Sequence, residues 1–586
     1  MFRTAALTLC CAFSFTGAVP TPNNGAATID SAAQAYFEHQ LATEPAMSLQ
    51  LGRPVETFRP ISYDVASSDA DFATDIQAQL RAIDPSSLDH DHWLTYRTLE
   101  YLTTNEIAGK KFFWLTQRAT PYALGAFALP PMLQILTGFQ FRSRADVDQY
   151  VKLADDFAAY IASLQKFLEG QHHRHIILPV AEIDAVQSVI AGYAVPAEKS
   201  PLMVADARLS PLSPADRTAA LDAIHSAVTQ RVTPAWQSLL AYVSGPYRED
   251  APTQVGLWQY PQGPDYYRFL VKSYTTLDTT PEALHSLGLH EVSRLNATLD
   301  RIRRAVRFNG TLAEFKTFLK TDKRFFAQTT DEYGSLLQDF VQRSSAAAPK
   351  FFARIPTAPY GVEPLPRALA GAQTFGYYDA PNATRPKGVY FYNAWHPEQV
   401  STVNAGALIC HELIPGHHFQ VALQQENTRL PSVRHLDFSE TGFLEGWGEY
   451  AAQLCWDMGV YRTPYERAGR VMQDLMTTSR LVVDTGMNAL GWDRERAMAF
   501  MRANTYITDP QIRTETLRYS TDIPGQALAY KTGELVMLQL RAQTQRQLGS
   551  RFDMRAFHGW MIDSGSMTLD TLRRHVAYEV ARTRAR

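Results

Sequence analysis

The sequence predicts a mainly α-helical protein with one small β element. Three segments, 146–169, 216–243 and 281–306, have apolar residues at every third or fourth position. That spacing is typical of a helix face packed on a core. The second and third segments open near Ser-Pro or Thr-Pro pairs, which favour helix starts. Residues 389–393 are instead β-branched and aromatic, which predicts a short strand.

Size and composition indicate a large globular protein. The chain has 586 residues, of which 45% are hydrophobic and 20% charged, and its net charge is −3. It is long enough for a large core and too long for one typical domain. The near-neutral charge gives no indication of a nucleic-acid partner, and we expect no stable membrane insertion.

The N-terminus has the layout of a secretory signal peptide. Arg3 precedes an apolar run over residues 5–15, and small residues ending at Ala18 follow it. We therefore expect export to the periplasm or the medium. A lipoprotein site at Cys10 or Cys11 is disfavoured because a bulky leucine precedes the pair. A buried N-terminal helix is the alternative.

One short motif combines histidines with a glutamate in the manner of zinc hydrolases: His411-Glu412-Leu413-Ile414-Pro415-Gly416-His417-His418. Such enzymes use neutral imidazoles to hold the metal and a glutamate to take a proton from metal-bound water. We expect His411 to be a ligand and Glu412 to be the general base. A second run, 445–450, follows at a distance that suits a third ligand, Glu445, from a neighbouring helix.

The second histidine ligand is either His417 or His418. The usual signature, His-Glu-x-x-His, places it four residues after the first. Here His417 lies roughly 240° around an ideal helix from His411, whereas His418 is nearly eclipsed with it. An unbroken helix would use His418. Because Pro415 and Gly416 should kink or end the helix, we expect His417 to be the ligand.

These motifs and three further blocks resemble a bacterial family known as domain of unknown function 885 (DUF885). The resemblance is dense from about Gly388 to Gly565. It rests on His411-Glu412-x-x-Pro415-Gly416-His417, Glu445-Gly446-Trp447, the run 480–486, Arg518-Tyr519 and Pro524-Gly525-Gln526-Ala527-Leu528-x-Tyr530-Lys531-x-Gly533. The family is similar to zinc peptidases with a glutamate third ligand, such as thimet oligopeptidase and angiotensin-converting enzyme.

The resemblance implies a large two-lobed helical body with a deep central cleft and a small β element beside the metal helix. We expect a signal peptide at 1–18, an N-terminal helical lobe at 19–370 and a catalytic metal-binding region at 371–586. The last two form one continuous family domain. The chain departs from the expected pattern at Asn488, where we expect a histidine, so specificity or rate could differ here.

Substrate contacts follow from the same chemistry. Peptide hydrolysis needs a donor for the oxyanion, and Tyr530, or second Tyr519, could supply a phenol hydroxyl. Arg518 and Lys531 could bind a substrate carboxylate, for which arginine is the better fork. A strand that includes Tyr392 and Asn393 could pair with an extended substrate, although an aromatic core strand explains it equally well. The alternative for the tyrosines is a place in the core, and the alternative for the two cations is a place on the surface.

Four further groups have competing interpretations. Glu449 could orient His411, but a solvent-facing position is favoured slightly. Arg480 and Asp484 have the spacing of a helix-surface pair. Cys410 and Cys455 could form a bridge, although unpaired buried cysteines are favoured. The cluster 172–175 is expected to be an exposed turn and not a metal site.

The sequence thus predicts an exported peptidase that holds one zinc ion per chain through His411, His417 and Glu445 and hydrolyses short peptides. A zinc amidase on a non-peptide amide is the alternative among enzymes. A non-catalytic peptide-binding relative is the alternative outside them. No oligomeric state is assigned.

Overall fold

The computed structural model describes residues 25–366, 376–382, 385–393, 395–436 and 440–585. The predicted signal peptide, which includes Cys10 and Cys11, lies outside these residues. The described chain is mainly helical, as predicted, with one small sheet. No helix in these ranges is long and apolar enough to cross a membrane.

The described helices occur in the following order. They are α1 Gly25–Thr43, α2 Pro45–Gln50, α3 Tyr63–Arg81, α4 His90–Lys111, α5 Leu129–Thr137, α6 Arg144–His172, α7 Val180–Tyr193, α8 Pro214–Ala227, α9 Thr233–Ser244, α10 Pro246–Glu249, α11 Gly263–Thr275, α12 Pro281–Ala305, α13 Leu312–Thr321, α14 Thr330–Ala347, α15 Ala405–Glu412, α16 His417–Gln425, α17 Thr441–Asp457, α18 Pro464–Ala489, α19 Arg494–Asn504, α20 Asp509–Leu517, α21 Ala529–Leu548, α22 Met554–Ile562 and α23 Leu569–Ala585. The strands are β1 Tyr360–Pro364, β2 Tyr377–Asp379 and β3 Gly388–Tyr392.

The three helical segments predicted from periodicity are confirmed. The first lies within α6, the second spans α8 and α9 with a π-helical turn between them, and the third is α12. Ser213 and Thr280 accept hydrogen bonds from backbone N–H groups at the starts of α8 and α12, each with proline at the first position. These caps satisfy backbone donors that a helix start leaves free.

Two groups of helices build the largest cores. Helices α5 to α9 pack around aromatic and aliphatic side chains such as Phe157 and Trp236. A second core gathers α14, α15, α17 and α21 to α23. Helix α12 runs along α18, and α14 packs on α15. Helices of the two predicted regions therefore pack against each other.

Helix α18 contains the longest uninterrupted run of buried residues in the described chain. Every residue from Ala468 to Asn488 is buried. A helix buried on all sides is normally apolar, but α18 contains two arginines and two aspartates in this stretch, which are Arg470, Asp474, Arg480 and Asp484. Buried charges need partners, which the surrounding helices must supply.

The predicted strand is confirmed as β3, the central strand of the sheet. It pairs in parallel with β1 and antiparallel with β2. Both edges of β3 are therefore occupied, and an extended substrate cannot pair with it as the resemblance suggested. Tyr392 is buried and packs against Tyr333, so this strand is the aromatic core strand of the alternative interpretation.

A disulfide joins Cys410 of α15 to Cys455 of α17, with an S–S distance of 2.05 Å. The preference for two unpaired cysteines was wrong. Helices α15 and α17 pack side by side, which brings together two side chains 45 positions apart in sequence. The bridge ties together the two helices that contain His411 and Glu445.

Candidate metal centre

The chain turns sharply between α15 and α16, as Pro-Gly predicted. Helix α15 ends at Glu412 and α16 begins at His417. The indole N–H of Trp447 donates to the carbonyl oxygens of Pro415, at 2.9 Å, and Gly416, at 3.2 Å. This buried tryptophan fixes the turn, so ideal helix angles do not relate the two histidines.

The turn brings His411, His417 and Glu445 together. Glu445 Oε2 lies 3.5 Å from His411 Nε2 and 3.4 Å from His417 Nε2. One ligand atom from each residue lies within 4.8 Å of the other two. Ligands at about 2.1 Å around a tetrahedral zinc ion are about 3.4 Å apart. In the described chain this is the one group of three such side chains with that geometry.

An unpaired polar atom at this position fits a bound cation. Glu445 Oε2 is buried and has no hydrogen-bond partner in the described chain. Burial alone would raise the pKa of Glu445, but the two imidazoles lower it. Burial would also lower the pKa of His411, whereas Glu445 and Glu449 raise it to about 10. The carboxylates therefore favour positive charge here, and a divalent cation would supply it.

His418 faces away from this group. Its Nδ1 lies 3.0 Å from the hydroxyl of Tyr378, and its Nε2 lies 3.2 Å from the carbonyl oxygen of Ala358. Burial lowers the pKa of His418 to about 4, which keeps the imidazole neutral. The structure therefore places His417, and not His418, beside His411 and Glu445.

Glu449 lies behind His411 and not in solvent, so the favoured interpretation of this residue was wrong. It is fully buried, and its Oε1 lies 3.2 Å from His411 Nδ1. Arg470 donates to its other oxygen at 2.9 Å. One helical turn separates Glu449 from Glu445, so α17 presents both carboxylates on the same face.

Two glycines allow this close packing. A Cβ at Gly448 would lie 2.6 Å from Cε1 of His411, and a Cβ at Gly446 would lie 2.5 Å from Cα of Gly533 in α21. Both distances are shorter than real Cβ contacts. The glycines that flank Trp447 therefore let α17 approach both the imidazole and α21.

Glu412 lies next to the predicted ligands in sequence and space. Burial raises the pKa of its carboxyl group, and the imidazoles of His411 and His417 act in the opposite direction. Such a carboxylate can accept a proton and pass it on. Its position agrees with the predicted general base, a role that stays a prediction.

The two predicted oxyanion donors occupy different surroundings. Tyr530, at the start of α21, is partly buried, and its ring stacks on His411 with 6.0 Å between centroids. Tyr519 is fully buried, accepts a hydrogen bond from Arg480 Nε at 2.7 Å and donates to Glu515. Its hydroxyl is therefore already engaged, and Tyr530 is the better candidate.

The two predicted carboxylate-binding cations also differ. Arg518 is partly exposed and contacts Gln526 at 3.1 Å and Glu515 at 3.5 Å. Lys531 is completely buried, and its Nζ donates to Asp474 and Glu534, each at 2.7 Å. Its Nζ is therefore already engaged by two buried carboxylates, and Arg518 is the better candidate for a substrate contact.

Arg480 and Asp484 do not form the predicted surface pair. Both are buried, and Asp484 accepts hydrogen bonds from the hydroxyl of Tyr267 at 2.6 Å and from the backbone N–H of Gly525. Burial raises the pKa of Asp484 to about 7. The pattern missed these partners because they come from distant segments.

Asn488 occupies an interior position and not a ligand position. Its Nδ2 donates to the carbonyl oxygens of Asp484 and Tyr519, and its Oδ1 accepts from Leu257 N–H. The residue that stands in place of the expected histidine is therefore part of a buried hydrogen-bond network.

The exposed turn predicted at 172–175 is confirmed for residues 173–175. His172 is instead the last residue of α6, is half-buried and contacts Tyr242 and Asp250.

A small cavity of about 60 Å³ lies beside α15. Leu408, one helical turn before Glu412 on α15, lines it. Its polar lining includes Asn393, which the sequence placed among the substrate contacts. The cavity is also lined by Tyr333, Tyr390, Asn404 and Tyr506.

Sequence reasoning missed the buried charges behind Glu449. Arg470 bridges Glu449 and Glu534, and Lys531 bridges Glu534 and Asp474. Burial, together with the charge of Asp474, raises the pKa of Glu534. The available signal was the spacing of Arg470 and Asp474, four apart, and of Lys531 and Glu534, three apart.

Residues 45–576 match the family described as "Bacterial protein of unknown function (DUF885)". The match covers most of the chain, so the chain belongs to this family. No curated protein matches the chain.

Two solved structures share the fold. A "putative lipoprotein" from Colwellia psychrerythraea has a TM-score of 0.82 and 22% sequence identity, and the match covers 95% of this chain and 99% of that one. A "putative lipoprotein of unknown function" from Shewanella oneidensis has a TM-score of 0.72 and 18% identity, covering 93% and 99%. At these identities the similarity shows the fold alone.

Proposed function

We propose that this member of the DUF885 family is an exported, zinc-dependent peptidase that hydrolyses short peptides. The observation that carries the proposal is the convergence of His411, His417 and Glu445 at separations that suit one tetrahedral ion. Glu412 beside them completes the group of side chains that zinc hydrolases use.

Each residue has a role that follows from its position. A zinc ion held by the two histidines and Glu445 would polarise the scissile carbonyl and lower the pKa of a water molecule. Glu412 would take the proton of the attacking water and deliver it to the leaving amine. Tyr530, stacked beside His411, would donate its hydroxyl to the oxygen that becomes negative.

The burial of the ligands supports a small, flexible substrate. The side chains of His411, His417 and Glu445 are 6%, 11% and 14% exposed. A folded protein surface reaches such a recessed group poorly, whereas an extended peptide can enter. The two-lobed body with a deep cleft, expected from the zinc peptidases, belongs to this proposal.

Two observations support export. The disulfide between Cys410 and Cys455 is of a kind that persists in oxidising compartments. Both solved structures of the same fold are of proteins described as a "putative lipoprotein". Residues 1–18 would then be removed as a signal peptide.

Metal analysis and a peptide digest test the proposal. The purified full-length chain is expected to contain about one zinc ion and to lose activity with a chelator, with zinc restoring it. A mixed peptide library should then show cut bonds by mass spectrometry. A protein that contains no zinc and whose activity is unchanged by a chelator would refute the metal site. Zinc without peptide cleavage would favour an amidase or a non-catalytic peptide-binding protein.

A further inference from the structure

Arg470 lies behind the metal centre in the interior of α18. Its side chain is 1% exposed. Nη1 donates to Glu449 Oε2 at 2.9 Å, and Nη2 donates to the backbone carbonyl oxygen of Glu449 at 3.2 Å. One guanidinium therefore holds both the side chain and the backbone of the residue whose other oxygen faces His411.

The far side of the guanidinium is anchored as well. Nη2 also donates to Glu534 Oε1 at 2.8 Å, and Glu534 Oε2 accepts from Lys531 at 2.7 Å. Lys531 in turn donates to Asp474 at 2.7 Å. These ion pairs join α17, α18 and α21, so Arg470 cannot shift without breaking contacts to two neighbouring helices.

The two nitrogens of the His411 ring face two carboxylates of α17. Its Nε2 faces Glu445, and its Nδ1 lies 3.2 Å from Glu449 Oε1. A metal ligand whose second nitrogen faces a fixed carboxylate stays aimed at the ion. If Glu449 could rotate, the imidazole could rotate with it, and the three ligand atoms would separate.

We propose that Arg470 is a positioning residue for the metal centre. It fixes Glu449, and Glu449 fixes the ring of His411 so that Nε2 points towards Glu445 and His417. The inference rests on the proposed function, because it takes zinc to be the ion at this site. Loss of such an outer partner typically weakens metal affinity about 10- to 100-fold.

The test is the zinc dissociation constant of the full-length chain, measured by competition with a chromophoric chelator. Arg470→Gln and Glu449→Gln should each weaken zinc binding about 10- to 100-fold. The double variant should bind no more weakly than Glu449→Gln, because Arg470 acts through Glu449. Arg470→Lys should restore part of the affinity, since an amine can hold one carboxylate oxygen.

An unchanged zinc affinity in Arg470→Gln would overturn the proposal, and so would losses that add up in the double variant. Should Arg470→Gln fail to fold, Arg470→Lys carries the same test, with zinc binding weaker than wild type expected and equal binding overturning it. Zinc binding by the wild type with no effect at Arg470 removes this inference alone. A wild type that binds no zinc removes the proposed function with it.

Arg434→Gln is the matched control. Arg434 is equally enclosed, at 3% exposure, but it donates to the backbone carbonyl oxygens of Asp91 and Ser564. We expect this variant to lower the free energy of unfolding without changing zinc affinity. A loss of affinity as large as that of Arg470→Gln would mean that general destabilisation explains both, which contradicts a positioning role.

Discussion

Helix α18 contains two buried arginines whose surroundings have opposite charge. Arg470 contacts Glu449 and Glu534, and the lysine that shares Glu534 also contacts Asp474. Carboxylates outnumber cations in this group by three to two. It lies directly behind His411, on the side where a metal ion would need negative charge.

Ten residues further along, about 15 Å at the rise of a helix, the balance is reversed. Arg480 pairs with Glu515 and lies 4.4 Å from the ring centroid of Tyr530. Arg518 contacts the same Glu515, so two cations share one carboxylate. This end suits the stabilisation of negative charge, either an oxyanion or a substrate carboxylate.

If the proposed hydrolytic function holds, one buried helix would supply charged groups to both halves of the site. The carboxylate-rich end would hold the cation, and the arginine-rich end would hold the developing anion. The two ends should therefore respond differently to substitution: the first through metal affinity, the second through turnover or substrate affinity.

The largest expected effect is at Glu412, the predicted general base. Glu412→Gln should lower kcat by about 10²- to 10⁴-fold, because general-base catalysis is lost. Zinc content should remain at the wild-type level, since the ligands are untouched. Steady-state kinetics and metal analysis on one preparation measure both. Glu495→Gln, at an exposed position of α19, is the control, and undiminished turnover in Glu412→Gln would dismiss the base.

Tyr530→Phe tests the arginine-rich end. Loss of one oxyanion donor should raise the barrier by about 2.7–4 kcal/mol, which lowers kcat about 10²- to 10³-fold. Zinc affinity should be unchanged, because the hydroxyl is not a predicted ligand. Tyr578→Phe, which alters a 41% exposed ring, is the control. If Tyr530→Phe loses zinc but has normal turnover once zinc is restored, Tyr530 acts on metal binding, and its assignment to the arginine-rich end is wrong.

Acid should destabilise the protein through a buried histidine, His558, that belongs to neither group of charges around α18. Burial lowers the pKa of His558 to about 4, and this side chain lies 2.8 Å from the hydroxyl of Tyr450. The unfolded chain, with a histidine pKa near 6.5, binds more protons between pH 6.5 and 4. Stability is therefore present above about pH 6.5 and is lost as the pH falls towards 4.

His558 should contribute about 2 kcal/mol to the loss of unfolding free energy between pH 7 and pH 5. Urea unfolding at several pH values measures this loss. His558→Gln removes the titrating group, so its stability should fall less over the same interval. Equal pH dependence in the two proteins would contradict a neutral buried imidazole.

The smallest expected effect is at Arg518. If it binds a substrate carboxylate, Arg518→Gln should raise KM about 10-fold for peptides with a free C-terminus, since a charge-assisted hydrogen bond is lost. KM for the same peptides with an amidated C-terminus should change little. Equal effects on the two series would assign Arg518 to structure, through its contacts with Glu515 and Gln526.

The local patterns in the sequence predicted the elements that local chemistry determines. Apolar spacing located α6 and α12, and the Ser-Pro and Thr-Pro pairs located helix starts. Pro415 and Gly416 predicted the break after α15. That break, in turn, favoured His417 over His418, because it removed the helical geometry that would have selected the later residue.

The pattern was less informative wherever a partner came from a distant part of the chain. Lys531, Arg480 and Asp484 resemble surface charges on their own helices. Each is buried because neighbouring helices supply carboxylates, tyrosine hydroxyls or backbone groups. The same holds for the pairing of Cys410 with Cys455, which depends on how α15 and α17 pack.

The sequence by itself determined the helical class, the family, a strand at 389–393 and the identity of three metal-ligand candidates. Those features depend on residue type and short spacing, which the chain contains explicitly. Only the tertiary structure decided which charges are buried, that β3 is central, and that Glu449 and Arg470 lie behind His411. Helix packing decides these because burial makes an unpaired charge costly, and the partners that relieve that cost are far apart in sequence.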